Sequence, residues 1–246
     1  MVKKKNPLQG AGIILLKFLH QKFPDYSFAV NSIGEKIIPL YKAFGYNIVK
    51  LRQYYIINPN MTQKIIKGNI KKEKKSKSYK SLKLKFIDKK VLKKIKLKKN
   101  YIHSKSKNYF INKYLKNPFF KYKIALIIYK KVNKMLIILR VDKYKNSRVL
   151  RIVDLYGDYN YLAFCYNIFL ELLKNEKAEF LDFLQYGISH KILNKCNFRL
   201  NNYGKTIIPI YFSPYLNKNM KIFSAYKSNK QKIFILKADG DQDIPH

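Results

Sequence analysis

Carboxylates are concentrated near the ends of predicted strands in the second half of the sequence. Asp154 ends one predicted strand, Asp158 follows in the next loop, and Asp182 lies in a later predicted strand. Open α/β sheets bind ligands at the carboxyl ends of their strands, so these side chains could meet there and supply a general base for an amine or hydroxyl. Three further carboxylates stand in the C-terminal tail, at Asp239, Asp241 and Asp243. The tail could join this group, or it could be a solvated acidic segment that balances nearby lysines.

Other kinds of reactive site are not indicated. The phrase "DGDQD" resembles part of a calcium loop but lacks the remaining ligands and the terminal Glu. The four histidines are scattered, and Cys165 and Cys196 lie outside any C-x-x-C pair. No G-x-S-x-G phrase occurs. We therefore expect no metal site, no disulfide framework and a reducing cytoplasmic location.

The elements that would position these residues alternate in type. Residues 10–23 have the apolar spacing of a helix, "YSFAV" reads as a strand, and residues 35–44 form a second helix ended by Gly45. "NIVKLRQYYIIN" then supplies one or two strands. The order helix, strand, helix, strand predicts an α/β layer with a mixed sheet.

The same order recurs later in the chain. "YKIALIIYKK" and "KMLIILRVDKY" predict a hairpin, and "RVLRIVDLYG" predicts a third strand. A helix at 161–174, a strand in "AEFLDFLQYG" and a short helix in "SHKILNKCNF" follow. "TIIPIYF" and "QKIFILKA" are predicted as the last strands. No apolar run reaches about 18 residues, so no membrane-spanning helix is expected.

Charge divides the sequence into parts. The formal net charge is +38, yet only five of the 52 basic residues are Arg. The high positive charge favours a surface that binds nucleic acid. The excess of Lys over Arg favours the alternative that the charge only reflects an AT-rich coding sequence. Residues 64–107 hold 19 lysines against Glu73 and Asp88, which predicts a solvated linker, although "VLKKIKLKK" could form a basic amphipathic helix. The expected units are 1–60, a Lys-rich linker at 61–107, and 108–246.

Two phrases near the start resemble the GNAT superfamily of N-acetyltransferases. "LQGAGIILLKFL" is similar to the family's pyrophosphate loop and following helix, with Pro7 in place of the usual first residue, and "FAVNSIGEKIIPLYKAFGY" follows the family's next strand and helix. The resemblance covers residues 6–58. It implies that acetyl-CoA binds at the loop and its helix N-terminus. The implied cofactor-binding residues are Gln9, Gly10, Ala11, Gly12 and Asn31.

The resemblance also implies a catalytic role for Tyr41. In many members the tyrosine at this place protonates the leaving CoA thiolate as a general acid. The alternative is that the Tyr41 ring only packs beneath the sheet. Asp154 is the second candidate catalytic residue, as the base for the acceptor.

The remaining sequence resembles a second, divergent domain of the same type. "VLRIVDLYGD" and "KADGDQDIPH" are similar to phrases of tandem GNAT-like proteins linked to surface polysaccharide synthesis, whereas "LYGDYNYLAF" lacks the Gly-x-Gly pattern. The resemblance implies an α/β (α+β) fold with a GNAT-like mixed sheet flanked by helices. Residues 1–60 match only the later half of such a domain, so an incomplete N-terminal half would precede a second divergent domain.

The function implied by the resemblance is N-acyl transfer. Acetyl-CoA would be the acyl donor, and an amino sugar or sugar nucleotide would be the acceptor. Two alternatives remain open: a basic nucleic-acid-binding protein that uses the Lys-rich segment with Tyr79 and Tyr101, and a non-catalytic partner protein that keeps the fold.

Overall fold

The computed structural model describes residues 10–68, 82–97, 105–204, 206–212, 214–228 and 233–240. Within these residues the chain forms a mixed α/β fold. A large sheet is covered by helices on both faces, because strand side chains pack in one apolar cluster on one side and in a second cluster on the other. Gln9, Asp241 and Asp243 lie outside the described residues.

The N-terminal elements follow the predicted order. They are α1 (Ala11–Lys22), β1 (Phe28–Ile33), α2 (Ile38–Ala43) and β2 (Asn47–Ile57), with a 3₁₀ turn at Glu35–Ile37 before α2. Gly45 follows α2 with φ 75°, the left-handed conformation that glycine adopts most easily. The predicted glycine stop is confirmed, and "NIVKLRQYYIIN" forms one long strand.

The Lys-rich segment contains regular structure that the sequence did not lead us to expect. It supplies β3 (Leu82–Phe86), α3 (Lys89–Lys94) and α4 (Lys107–Phe110), which continues as a π-turn at Ile111–Leu115. Asp88 caps α3 by accepting a hydrogen bond from Val91 N at 2.8 Å, and Leu92 and Ile95 are buried. The expectation of a solvated linker is therefore wrong for residues 82–97, because these apolar side chains reach the sheet.

The remaining elements form most of the sheet. They are β4 (Tyr122–Tyr129), β5 (Val132–Tyr144), β6 (Ser147–Gly157), α5 (Tyr166–Asn175), β7 (Phe180–Tyr186), α6 (His190–Lys195), β8 (Arg199–Leu200), β9 (Ile222–Lys227) and β10 (Ile235–Leu236). A 3₁₀ turn at Tyr159–Phe164 precedes α5, and another at Lys237–Asp239 follows β10. Strand β9 was not predicted.

"TIIPIYF" is not a regular strand, which corrects the sequence-based prediction. Ile207 makes an isolated bridge with Lys67, Phe212 makes another with Tyr215, and the residues between them run irregularly. Pro209 has no N–H to donate to a ladder. The carbonyl groups of Pro209 and Ile210 instead accept hydrogen bonds from the buried Arg151 guanidinium. The apolar side chains are thus held against the sheet without joining it.

Strands from both ends of the chain interleave in one sheet. The order is β1-β9-β2-β7-β6-β5-β4-β3, with β8 beside β2 and β10 beside β7. Strand β2 pairs with β9 through residues 47–51 and with β7 through residues 52–57. The early strand β2 thereby connects the N-terminal elements to the C-terminal sheet.

Candidate functional site

A crevice lies where the neighbouring strands β6 and β7 separate. They pair in parallel only from Val149 opposite Phe180 to Ile152 opposite Phe183. The register of β5 against β6 then shifts between Ile138 and Leu139, which marks a bulge in β6. Among the described strands this is the parallel pair, so its carboxyl ends are where a ligand is expected.

The chain's own C-terminal segment fills this crevice. Ile235 and Leu236 form β10 and pair with Tyr186 and Gln185 at the end of β7. A cavity of about 20 Å³ remains beside Leu155 and is lined partly by the same segment. That volume suits about one water molecule. We call residues 233–240 the crevice segment.

Gly187 allows the crevice segment to approach closely. Its φ is +103°, and a Cβ atom there would collide with the carbonyl oxygen of Ile233 and with the Phe234 ring. Any residue other than glycine would therefore be strained in this backbone conformation, and its side chain would collide with the crevice segment. The glycine in the turn after β7 therefore allows residues 233–240 to pack against this turn.

Asp154 lies buried at the edge of the crevice in a network of short contacts. Its side chain has no exposed surface, and Oδ1 is 2.5 Å from Lys105 Nζ. Tyr114 donates its hydroxyl to Oδ2 at 2.5 Å, and Leu155 N donates to Oδ1 at 2.8 Å. Lys105 also pairs with Asp239 of the crevice segment at 2.8 Å. The predicted base is thus engaged on both oxygens.

Burial and charge act in opposite directions on Lys105 and Asp154. Burial alone would lower the pKa of Lys105, but the carboxylates of Asp154 and Asp239 outweigh it and the pKa is raised. The pKa of Tyr114 is raised by burial first and by Asp154 second. Burial, as the largest cause, raises the pKa of Asp154, and Lys105 acts against that rise. The network holds the crevice segment through Asp239.

The other predicted acids have structural partners. Asp182 is buried, accepts a hydrogen bond from Gln53 Nε2 at 3.1 Å and lies 3.5 Å from Arg151. Asp158 accepts a hydrogen bond from Asn160 N at 3.1 Å in the loop before the 3₁₀ turn. The structure brings Asp154 and Asp239 together through Lys105.

The start of α1 is open, in contrast to the crevice. Gly10 precedes the helix with φ 82°, and a Cβ atom at Gly10 or Gly12 would have nothing within 4 Å among its surroundings. Ala11 is half-buried beside them, and the first turn has no acidic residue. The first N–H groups of an α-helix have no partner within the helix, and together with the positive end of the helix dipole they favour an anion here.

Asn31 connects β1 to the crevice segment. Its Nδ2 donates to Leu236 O at 3.3 Å, and its Oδ1 accepts hydrogen bonds from Ser224 Oγ at 2.6 Å and Ser32 N at 2.9 Å. A Cβ atom at Gly240 would collide with the Asn31 side chain. The predicted cofactor-binding residue therefore contacts protein groups that come from the other end of the chain.

Tyr41 lies in an aromatic cluster between α1, α2 and β2. Its ring is 5.2 Å from that of Tyr46, whose hydroxyl lies 2.8 Å from His20 Nε2. Burial and then Tyr41 raise the pKa of Tyr46, whereas burial and then Lys227 lower the pKa of His20. Tyr41 is half-buried and its hydroxyl makes no hydrogen bond with the described residues.

Sequence reasoning missed Lys105, Tyr114 and the His20–Tyr46 pair. Lys105 and Asp154 are 49 positions apart in the chain, so only the packing of α4 on the sheet brings them together. Among the described residues, no group of three or more His, Cys, Asp or Glu side chains could hold a metal ion. The described helices include none that is long and apolar enough to cross a membrane.

Comparisons with known proteins support the fold. No protein-family model and no curated protein matches the sequence. The structure is similar to a GCN5-related N-acetyltransferase from Anabaena variabilis, with TM-score 0.51 and 14% identity, over 89% of this chain and 51% of that one. It is also similar to a conserved Enterococcus faecalis protein of unknown function described as a probable N-acyltransferase, with TM-score 0.52 and 13% identity, over 90% of this chain and 51% of that one.

These similarities define a class of fold. The chain has a GNAT-type mixed sheet flanked by helices, as the sequence predicted. It spans about half the length of each of the two solved proteins.

Proposed function

We propose that this chain takes part in N-acyl transfer from acetyl-CoA to an amine of a small acceptor, such as an amino sugar or sugar nucleotide. The observation that carries the proposal is the GNAT-type fold, which the chain shares with proteins described as an N-acetyltransferase and a probable N-acyltransferase. The free cysteines Cys165 and Cys196 fit the reducing cytoplasm in which we expect the protein to act.

The donor would bind at the start of α1. The crevice between β6 and β7 is filled, and Asp158 adds negative charge to the loop that follows β6. The backbone N–H groups of Gly10, Ala11 and Gly12 lie instead at the helix start, the Cβ positions of Gly10 and Gly12 have open space around them, and the first turn has no acid. These features favour the pyrophosphate of CoA at the N-terminal position. Gln9 and Asn31 complete the proposed set, and Asn31 would have to release its contacts with Leu236 and Ser224 to bind the donor.

In the proposed reaction the acceptor amine attacks the thioester carbonyl. A C–N bond forms, the C–S bond breaks, and Tyr41 donates its phenolic proton to the leaving thiolate. Asp154 would accept the proton that the amine loses. Because Lys105 and Tyr114 engage both of its oxygens, that role requires the network to open first.

Gly12→Asp tests the donor site. An aspartate in the first turn of α1 favours the helix itself but repels a bound pyrophosphate. Titration calorimetry with CoA should show Kd raised at least ~10-fold, because one charged contact is replaced by repulsion. Gly34→Asp is the matched control, since Gly34 is also exposed, has open space around its Cβ position and lies at φ −71°. Equal CoA affinity in wild type and Gly12→Asp would remove the start of α1 from the site.

Two observations favour other functions. The net charge of +38 favours a nucleic-acid-binding protein, for which RNA affinity should fall steeply with salt. The filled crevice favours a non-catalytic partner protein that keeps the fold. Such a protein would show no thermal shift with acetyl-CoA.

A further inference from the structure

A second cavity lies on the α3 and α4 side of the sheet. Its volume is about 580 Å³, within the range of small-molecule sites. The buried side chains of Leu92, Ile95 and Phe110 form part of its wall, together with Leu136 from β5. Lys105 and Tyr156 line both this cavity and the small one in the crevice, so the two are neighbours. We call it the helix pocket.

The charge of the helix pocket is positive and unbalanced. The ammonium group of Lys105 is matched by Asp154 and Asp239, so this residue mainly presents its carbon chain. Lys96 and Lys107 are exposed and have no acidic partner among the described residues. Lys107 is held in place by donating a hydrogen bond to Lys93 O at 2.5 Å. No acid occurs among the described lining residues.

We propose that the helix pocket binds a small amphipathic anion of the medium-chain carboxylate type. The apolar wall removes the hydrocarbon chain from water, and Lys96 and Lys107 hold the carboxylate at the opening. A sugar would leave the apolar wall unused and its own hydroxyl groups without partners. The site is separate from the donor site proposed above and requires no acyl transfer.

Titration calorimetry of the full chain with hexanoate, octanoate and 1-octanol tests the binding of the hydrocarbon chain and the binding of the carboxylate separately. Each added methylene should tighten binding about fourfold, so octanoate should bind roughly 15-fold more tightly than hexanoate, which has two methylenes fewer. The uncharged 1-octanol should bind more weakly than octanoate. Equal binding of octanoate and 1-octanol would overturn the anionic assignment, and no binding of octanoate at millimolar concentration would overturn the site.

Lysine variants locate the carboxylate. Lys96→Gln with Lys107→Gln keeps hydrogen-bonding groups but removes both charges, and should weaken octanoate binding ~5–10-fold with little effect on 1-octanol. Lys90→Gln with Lys94→Gln removes the same charge from exposed positions of α3 outside the lining. An equal loss in both double variants would reduce the effect to general attraction by a basic protein and overturn the proposal. A loss confined to the first pair supports it.

Discussion

Tyr41 and Tyr46 lie ring to ring, but their hydroxyl groups differ in their surroundings. Tyr46 is buried and its hydroxyl pairs with His20, whereas Tyr41 is half-buried and its hydroxyl makes no hydrogen bond with the described residues. A proton donor needs a hydroxyl that a substrate can reach. The geometry therefore separates a candidate acid from a structural phenol within one cluster.

Tyr41→Phe should lower kcat ~10²–10⁴-fold if Tyr41 is the general acid, because the ring is kept and only the hydroxyl group that carries the proton is lost. Steady-state acetyl transfer to an amino sugar is the measurement. The free energy of unfolding should change little. Tyr46→Phe is the matched control: it should cost about 1 kcal/mol of stability through the lost contact with His20 and leave kcat nearly unchanged. An unchanged kcat in an active Tyr41→Phe protein would contradict the acid role.

The sequence predicted the structure around these residues correctly where that structure depends only on neighbouring residues. Gly45 ends α2 as predicted, since a left-handed stop depends on one residue and its neighbours. The contact between Lys105 and Asp154 was not readable, because it depends on where α4 packs against β6. The resemblance of a short phrase to a known family suggested the candidate acid, and only the tertiary structure showed how the candidate base is engaged.

At the scale of elements, charge density misled the prediction of the Lys-rich segment. The lysines of α3 point to solvent while Leu92 and Ile95 are buried, so the segment is amphipathic rather than solvated throughout. Asp88, three residues before Val91, was a cap signal that could have revealed the helix. The opposite error occurred at "TIIPIYF", whose apolar residues suggested a strand that Pro209 and the Arg151 contacts prevent.

The crevice segment is an element held by close approach. Gly187→Ala should destabilise the protein by ~1–3 kcal/mol, because the left-handed backbone and the new Cβ both conflict with Ile233 and Phe234. Urea unfolding measures the change. Gly34→Ala is the control and should change stability by less than about 0.5 kcal/mol, since the site is open and its φ is ordinary. Equal stabilities of the two variants would mean that the segment does not pack against Gly187.

At the scale of the whole molecule, the sequence predicted the right layers but not their connection. Helix, strand, helix, strand was read correctly in the first 57 residues. The spacing of apolar residues does not reveal which strands become neighbours, because pairing is decided by tertiary packing. The sequence of β2 therefore does not indicate that this strand pairs with β9 and β7, which follow it by more than a hundred residues.

This interleaving should make the chain unfold in one step. Leu51, Tyr54 and Ile56 of β2 have no exposed surface, and they contact clusters formed by the C-terminal half, so neither half can keep its core when the other unfolds. The sequence has no Trp, so Phe44→Trp and Phe164→Trp each place one fluorescent probe, in the N-terminal and C-terminal half respectively. Both half-buried sites lie against apolar clusters.

Urea titrations of the two tryptophan variants should give coincident midpoints and equal slopes, because each probe reports the same loss of buried surface. Far-UV circular dichroism of each variant provides the control that the substitution itself has not changed stability. Separated midpoints, with the Phe44→Trp signal lost first, would show that residues 1–60 unfold alone and that the division expected from charge is also a division in stability. Coincident curves would make β2 the strand through which both halves of the GNAT-type sheet are stabilised together.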